Sequence, residues 1–255
     1  MDEKNIQIEK EEYFRSIYNL LSKRFEKRRI NTYLCDDTGD LFPILDKLIL
    51  STDIKKVAFS DSVTLHQLGI YEYIYAKGDR FEVINPFERQ ENGKLSIFGE
   101  QPPGKLNLPY DEYYAYIDKY VEIMRQTLLS DVLLIGANAI TMEGEIVSID
   151  GSGNRVSGMI FGPKKVIIIV GRNKIVKNVE SALDKIHNYT APVNYIRHDL
   201  KHHNRYDDLP CVKNGICINC SHPRSACMNI VIVRGAVEYN KDRIHLIFVN
   251  KDLGI

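Results

Sequence analysis

Three short runs in this chain, DVLLIG (131–136), KVIIIVG (165–171) and IHLIFV (244–249), are apolar at nearly every position rather than at every second one. A strand that faces water on one side alternates; a strand packed on both sides does not. Runs of this kind therefore call for an α/β fold, with a mainly parallel sheet covered by helices on both faces. Each run is strand-sized and far shorter than the roughly 20 apolar residues that cross a bilayer. KVAFS (56–60), FEVI (81–84), EIVSI (145–149) and NIVIVRG (229–235) read as further strands.

Between the strands the apolar spacing turns helical. Residues 9–29 place Tyr13, Ile17, Leu20, Leu21 and Phe25 on one face, and residues 39–50 do the same with Leu41, Leu45, Leu48 and Ile49. These two helices, with the short NTYLC segment between them, read as an N-terminal helical lead-in over 1–54. The α/β domain then spans 55–255 and includes the cysteine segment at 211–227. Within it DSVTLHQLG is the helix fed by the first core strand. A Tyr-rich helix at 111–129 aligns Tyr113, Tyr116, Ile117, Tyr120, Val121, Met124 and Leu128. A short helix lies near 153–161. The spacing predicts another over 174–187, with Ile175, Val179, Leu183 and Ile186 inward and Asn173 as its cap. Residues 85–109 hold four prolines and no periodic pattern, and a loop of that length is expected to serve a site, for example by covering it.

Charge excludes more than it indicates. The chain has 34 basic and 34 acidic residues, so no overall field draws it to nucleic acid or to an anionic membrane. The basic stretch KRFEKRR (23–29) falls on the outer face of the first helix and reads as solvated surface. The acidic, polar start MDEKNIQIEKEE is unlike a secretory signal. The expected setting is the cytoplasm, with reduced thiols and with neither nucleic acid nor membrane as partner.

Four of the five cysteines, Cys211, Cys217, Cys220 and Cys227, fall within PCVKNGICINCSHPRSAC. Four soft ligands can close a shell around zinc or hold an iron–sulfur cluster, and Cys217 and Cys220 form a C-x2-C knuckle. The outer intervals fit neither a ferredoxin run nor a standard zinc ribbon, so zinc, a cluster and simple packing all stay open. His222 is a substitute ligand within the segment. His198, His202 and His203, just upstream, read as facing solvent, and Cys35 reads as a small buried core residue.

Two polar stretches sit just past the ends of strands. Ser60, Ser62 and Thr64 come after the first core strand and suit either helix capping, by Ser62 or Asp61, or a bound anion. The stretch 136–158 begins at the end of a buried strand, where open α/β sheets bind ligands. It carries Asn138, Thr141, Asn154 and Arg155 as ligand-binding candidates. Glu143 and Glu145 are candidates for a base or nucleophile. Asp150-Gly151 reads as a turn. Gly151-x-Gly153 is followed by Val156 where a dinucleotide fingerprint needs glycine, which argues against a nicotinamide site.

Taken together, SDSVTLHQLGI (60–70), NPF (85–87), the run 128–186 and the cysteine segment resemble the LUD, or lactate utilisation, domain family, and in particular its short branch with four C-terminal cysteines. The resemblance implies a fold similar to sugar-phosphate isomerases and coenzyme A transferases. In those relatives the loop matching Ser60–Thr64 holds phosphate or cofactor, and an acidic residue near the second loop does chemistry. It also implies a role in oxidising lactate to pyruvate with iron–sulfur partner proteins; this chain, having no ferredoxin-type cysteine run, is not expected to pass electrons along a cluster chain by itself. The expected ligand is a small carboxylate or a phosphorylated molecule, bound between the two polar loops. The alternative is a non-catalytic interaction or metal- and redox-sensing module built on the cysteines. A homodimer is a further expectation.

Overall fold

The computed structural model describes residues 6–88, 110–201 and 206–255. Most of the 85–109 stretch, His202, His203 and the side chains of Tyr113 and Tyr116 lie outside the described residues. Six parallel strands form the main sheet, in the order β1 (Asn31–Cys35), β10 (Ile244–Val249), β7 (Lys165–Gly171), β4 (Val132–Ile135), β2 (Lys56–Phe59) and β3 (Glu82–Ile84). Every side chain of β4 and β10 is buried, as is all of β7 after Lys165, which is why these strands carry no polar alternation.

One face of the sheet packs on α2 (Leu41–Ile49), α3 (Val63–Gln67) and α4 (Ile70–Tyr75), through Leu41, Leu45, Leu65, Ile70 and Ile74. The other face receives α1 (Gln7–Lys27), through Phe14, Leu21 and Phe25, and Met159 of α6 (Asn154–Ile160). The buried face of α1 is thus set by Phe14, with Tyr18 and Phe25 packed on Phe248, at ring-centroid distances of 5.7 and 6.3 Å. Tyr13 and Leu20, expected inward, are exposed.

That same face also carries a second, smaller sheet in the order β8 (Ile175–Val176), β5 (Ala139–Thr141), β6 (Ile146–Asp150) and β9 (Asn229–Val233). Its outer side is covered by α7 (Val179–Lys185) through Ala182, and by the π-turn Ile186–Thr190 through Ile186. From that turn the chain continues into α8 (Ala191–Lys201). The Tyr-rich helix, α5 (Tyr110–Thr127), buries Met124.

The two sheets are joined at neighbouring positions. β4 and β7 are adjacent in the main sheet, and each leads within three residues into β5 and β8, which are adjacent in the small one. The bends are tight. A Cβ at Gly171 would lie 2.6 Å from Asn173 Oδ1, Leu253 N and Lys251 O, and one at Gly136 would lie 2.9 Å from Ser62 Oγ. Only glycine leaves room for these approaches.

Several elements differ from the sequence reading. NTYLC is β1, in parallel register with β10 from Asn31–His245 to Cys35–Val249, so the main sheet reaches across the expected 54/55 boundary. The predicted 174–187 helix starts only at Val179. Asn178 caps it by accepting from Ser181 N–H at 2.9 Å, and Asn173 instead accepts from Leu253 N–H at 3.0 Å. The polar 136–158 stretch contains β5, a strand too short to announce itself by periodicity.

Gly171→Ala should be destabilising by about 1–3 kcal/mol, because two of the three atoms its methyl would meet are backbone and cannot rotate away. Denaturant unfolding of the variant checks this; an unchanged midpoint would mean that the bend relaxes.

Candidate functional site

Where β4 and β7 bend away, a cleft of about 220 Å³ opens. It brings together Ser60, Ser62 and Thr64 after β2, Asn138 between β4 and β5, and Asn154 and Arg155 at the start of α6. The two polar loops picked out in the sequence therefore share one hollow. Lys174, Thr190, Asn194 and Arg197, which the sequence reading did not select, complete it. Lys174 had a readable signal: it lies three residues beyond the carboxyl end of an unbroken apolar strand. Thr190 and Arg197 had none, since the π-turn and α8 that present them are placed only by tertiary packing.

The lining groups divide into those already engaged and those that are not. Ser62 is the N-cap of α3, its Oγ accepting from Leu65 N–H at 3.4 Å, so capping is its observed task. Asn138 Oδ1 accepts from Ile149 N–H at 2.9 Å and from Arg155 Nη2 at 3.1 Å, which ties the β4–β5 bend to β6. Arg155 also donates to the Ile149 carbonyl and stands 3.5 Å from Asp150 Oδ2. Asp150 Oδ1 in turn accepts from Gly153 N–H at 2.9 Å, so Asp150-Gly151 is indeed a turn, and it sets the entry to α6. Ser152 Oγ donates to Asn154 Oδ1 at 2.9 Å. Arg243, buried beneath α6, donates to the Gly158, Met159 and Pro163 carbonyls and so satisfies the helix's free end.

By contrast, Ser60 Oγ and Thr190 Oγ1 are buried on the cleft wall with no hydrogen-bond partner among the described residues. A buried unpaired hydroxyl is costly, by about 1–3 kcal/mol, unless something supplies the missing bond.

The cleft holds three basic side chains and two acidic ones. Lys174, Arg155 and Arg197 face Asp150 and Asp61, with Arg197 Nη2 3.5 Å from Asp61 Oδ2. Lys174 is 4% exposed, and its Nζ donates to the Ile255 main-chain oxygen. Burial, then the positive charges of Lys185 and Arg155, bring its pKa down to about 7. The ammonium is held in a place where it has lost water and where like charges outweigh any acidic side chain.

Three of the sequence candidates lie elsewhere. Thr141 ends β5, Glu143 and Glu145 lie in the turn to β6, and none of the three lines the cleft. Glu145 is buried against Arg28 (3.7 Å) and Arg234 (3.2 Å), and Thr141 Oγ1 accepts from Glu145 N–H at 3.1 Å. Glu143 is exposed. Glu145 thus fastens the small sheet to α1, with Arg24 donating to the Met142 carbonyl beside it. The basic stretch at 23–29 is accordingly half-buried at Arg28 rather than fully solvated.

The four clustered cysteines line a second, smaller hollow of about 30 Å³, together with Tyr195, Ala191 and His187. Cys211 sits in the first turn of α9 (Pro210–Asn214), and Cys217 Sγ accepts from Asn219 N–H at 3.4 Å. Burial raises Cys211 and Cys227 above the ordinary thiol pKa, and the neighbouring thiols add to it. His222 faces Asp208 at 3.3 Å, away from the thiols' hollow. Among the described residues no three His, Cys, Asp or Glu side chains are grouped so as to hold a metal ion as they stand. Likewise among them, no helix is long and apolar enough to cross a membrane.

A family model described as the LUD domain matches residues 18–249. A crystal structure titled as a DUF162 family protein from Deinococcus radiodurans aligns over 92% of this chain and 96% of its own, at 11% identity and a TM-score of 0.43. No curated protein matches the sequence.

The lysine makes the cleft's contribution to stability dependent on pH. An unfolded lysine stays protonated to about pH 10.4, whereas Lys174 in the folded chain gives up its proton near 7. Between those values the unfolded chain holds more protons, so stability rises with pH, by a total on the order of 3–5 kcal/mol from this residue. Comparing denaturant unfolding of the wild type and Lys174→Met from pH 6 to 10 tests it. The variant should lose that slope, and parallel curves would show that Lys174 titrates normally.

Proposed function

This chain belongs to the LUD domain family, and on that premise we propose that it serves organic-acid metabolism of the lactate-utilisation kind by binding a small carboxylate or phosphorylated anion in the cleft at the strand ends. The observation that supports the reading best is the meeting of two unpaired buried hydroxyls, Ser60 and Thr190, with a desolvated ammonium, Lys174, in one hollow. An anion supplies acceptors for the hydroxyls and a charged partner for the lysine, whose Nζ otherwise donates to the Ile255 main-chain oxygen. A cleft of about 220 Å³ sits below the usual range for drug-sized ligands, which favours a molecule of lactate or phosphate size, or the anionic end of a longer one.

In this reading Arg155 and Asn138 act on the ligand mainly by holding the loop. Their polar atoms already bond one another and the Ile149 backbone, which fixes where the cleft's edge lies. Glu143 and Glu145 have no part in the bound state, being outside the cleft. A second reading, a redox- or metal-responsive module that docks iron–sulfur partners of a lactate-oxidising complex, is favoured by the four thiols around one hollow.

Calorimetric titration with lactate, pyruvate, phosphate and coenzyme A thioesters tests the first reading. At least one should bind. Ser60→Ala should weaken it about tenfold while leaving the unfolding temperature unchanged or higher, because no internal bond is lost. An anion beside Lys174 raises the lysine's pKa, so binding takes up a proton, and affinity should fall by up to about tenfold per unit as pH climbs above 7. Failure of every anion to bind, or binding indifferent to both Ser60→Ala and pH, would contradict the reading.

A further inference from the structure

We infer that Cys211, Cys217, Cys220 and Cys227 hold an iron–sulfur cluster, and that its occupancy is coupled to anion affinity in the adjoining cleft. The coupling rests on the anion reading above; the cluster does not.

The case for a cluster rather than a single zinc ion is geometric. All four thiols line one hollow, and Cys227 lies within electrostatic reach of the other three. A void of about 30 Å³ among them exceeds what one water needs, and so exceeds a bare ion. Four cysteines around one space supply the ligand set of a [4Fe–4S] unit. The knuckle is pre-formed for thiolate ligation. Asn219 holds a positive φ of 53°, and its N–H points at Cys217 Sγ, a bond that stabilises sulfur when it carries negative charge. One side of the site is closed by Leu209, Pro210 and Tyr195, whose hydroxyl donates to the Arg224 carbonyl at 2.7 Å, while Ile218 and Asn219 on the knuckle side are exposed. Assembly from equal amounts of ferrous and ferric iron with sulfide requires no external electron, and the four thiols release their protons as the Fe–S bonds form.

The coupling follows from shared walls. Cys227, Tyr195 and Ala191 line both the thiol hollow and the anion cleft. Tyr195 and Ala191 belong to α8, which also carries Asn194 and Arg197 into the cleft. Next to Cys227, Ala226 lies against Gly151, so close that a Cβ there would be 3.0 Å from Ala226 Cα. Drawing Cys227 onto a cluster therefore moves the segment that abuts the Asp150–Arg155 loop. Linkage makes the effect reciprocal: if the cluster alters anion affinity, the anion alters cluster affinity by the same factor.

The test uses the full chain prepared anaerobically, with and without reconstitution by ferrous and ferric iron plus sulfide, and with zinc in a third sample. Iron and sulfide content and visible absorption read the cluster. Calorimetry with pyruvate and with inorganic phosphate reads the cleft. Hydrogen exchange over 191–197 reads the shared wall without any anion. We expect about four irons per chain, lost in Cys217→Ser, whose side chain does not line the cleft. We also expect a change of about threefold or more in anion dissociation constant between loaded and empty chain, absent in that variant. Stoichiometric zinc with no retained iron would overturn the cluster. A loaded cluster with unchanged exchange at 191–197 and unchanged anion affinity would overturn the coupling. If neither anion binds in any form while exchange responds to loading, the anion reading fails and the inferred cluster with its shared wall stands.

Discussion

The site exists because two neighbouring strands of one sheet leave it together. β4 and β7 run side by side to Ile135 and Ile168, β7 continuing along β10 to Gly171, and the two then lead into β5 and β8, again side by side. The turn depends on close approaches that a side chain would block, with backbone atoms 2.6 Å from the missing Cβ of Gly171. Parallel strands end with their carboxyl ends on one side, so a sheet that splits there leaves a wedge-shaped opening just where loops can line it. The cleft, its basic side chains and the nearness of the thiols all follow from that fork.

Burial then decides the chemistry of what the fork exposes. Lys174 lies on the turn after β7 and cannot reach bulk water, so its proton becomes loosely held near neutral pH. Arg155, by contrast, is engaged by Asp150 and by two oxygen acceptors, Asn138 Oδ1 and the Ile149 carbonyl. One wall thus carries an arginine held by three oxygen partners, and the other a buried lysine bonded to the Ile255 main-chain oxygen, beside two hydroxyls with no partner among the described residues. Such a frustrated arrangement is tolerable in a fold only where a ligand relieves it or where packing elsewhere outweighs it. Here the packing is ample, since β4, β7 and β10 are buried on both faces.

Much of this was legible in the chain, for physical reasons that differ by element. Unbroken Val/Ile runs reveal strands covered on both faces, so the central sheet and its helical layers could be read directly. The polar residues just past those runs, Ser60 and Arg155 among them, could be named because strand ends are where such sheets are open. What could not be read were the elements fixed by partners remote in sequence. β1 is an edge strand that exists by pairing with β10, over two hundred residues away. The two glutamates looked catalytic because sequence gives polarity without direction; Glu145 in fact points to Arg28 and Arg234. The thiols and the polar loops gave no hint that Cys227 sits in the wall of both hollows, since only the folded chain brings its neighbour, residue 226, beside residue 151.

The central claim is that a buried lysine awaits an anion. Nitrogen-detected resonance of the Lys174 side chain, followed through a pH titration with and without saturating pyruvate or phosphate, tests it most directly. The account predicts a midpoint near 7 in the free chain, displaced upward by about two units or more when the anion is bound. A midpoint that stays in place on addition of every anion, or one near the ordinary lysine value in the free chain, would contradict it.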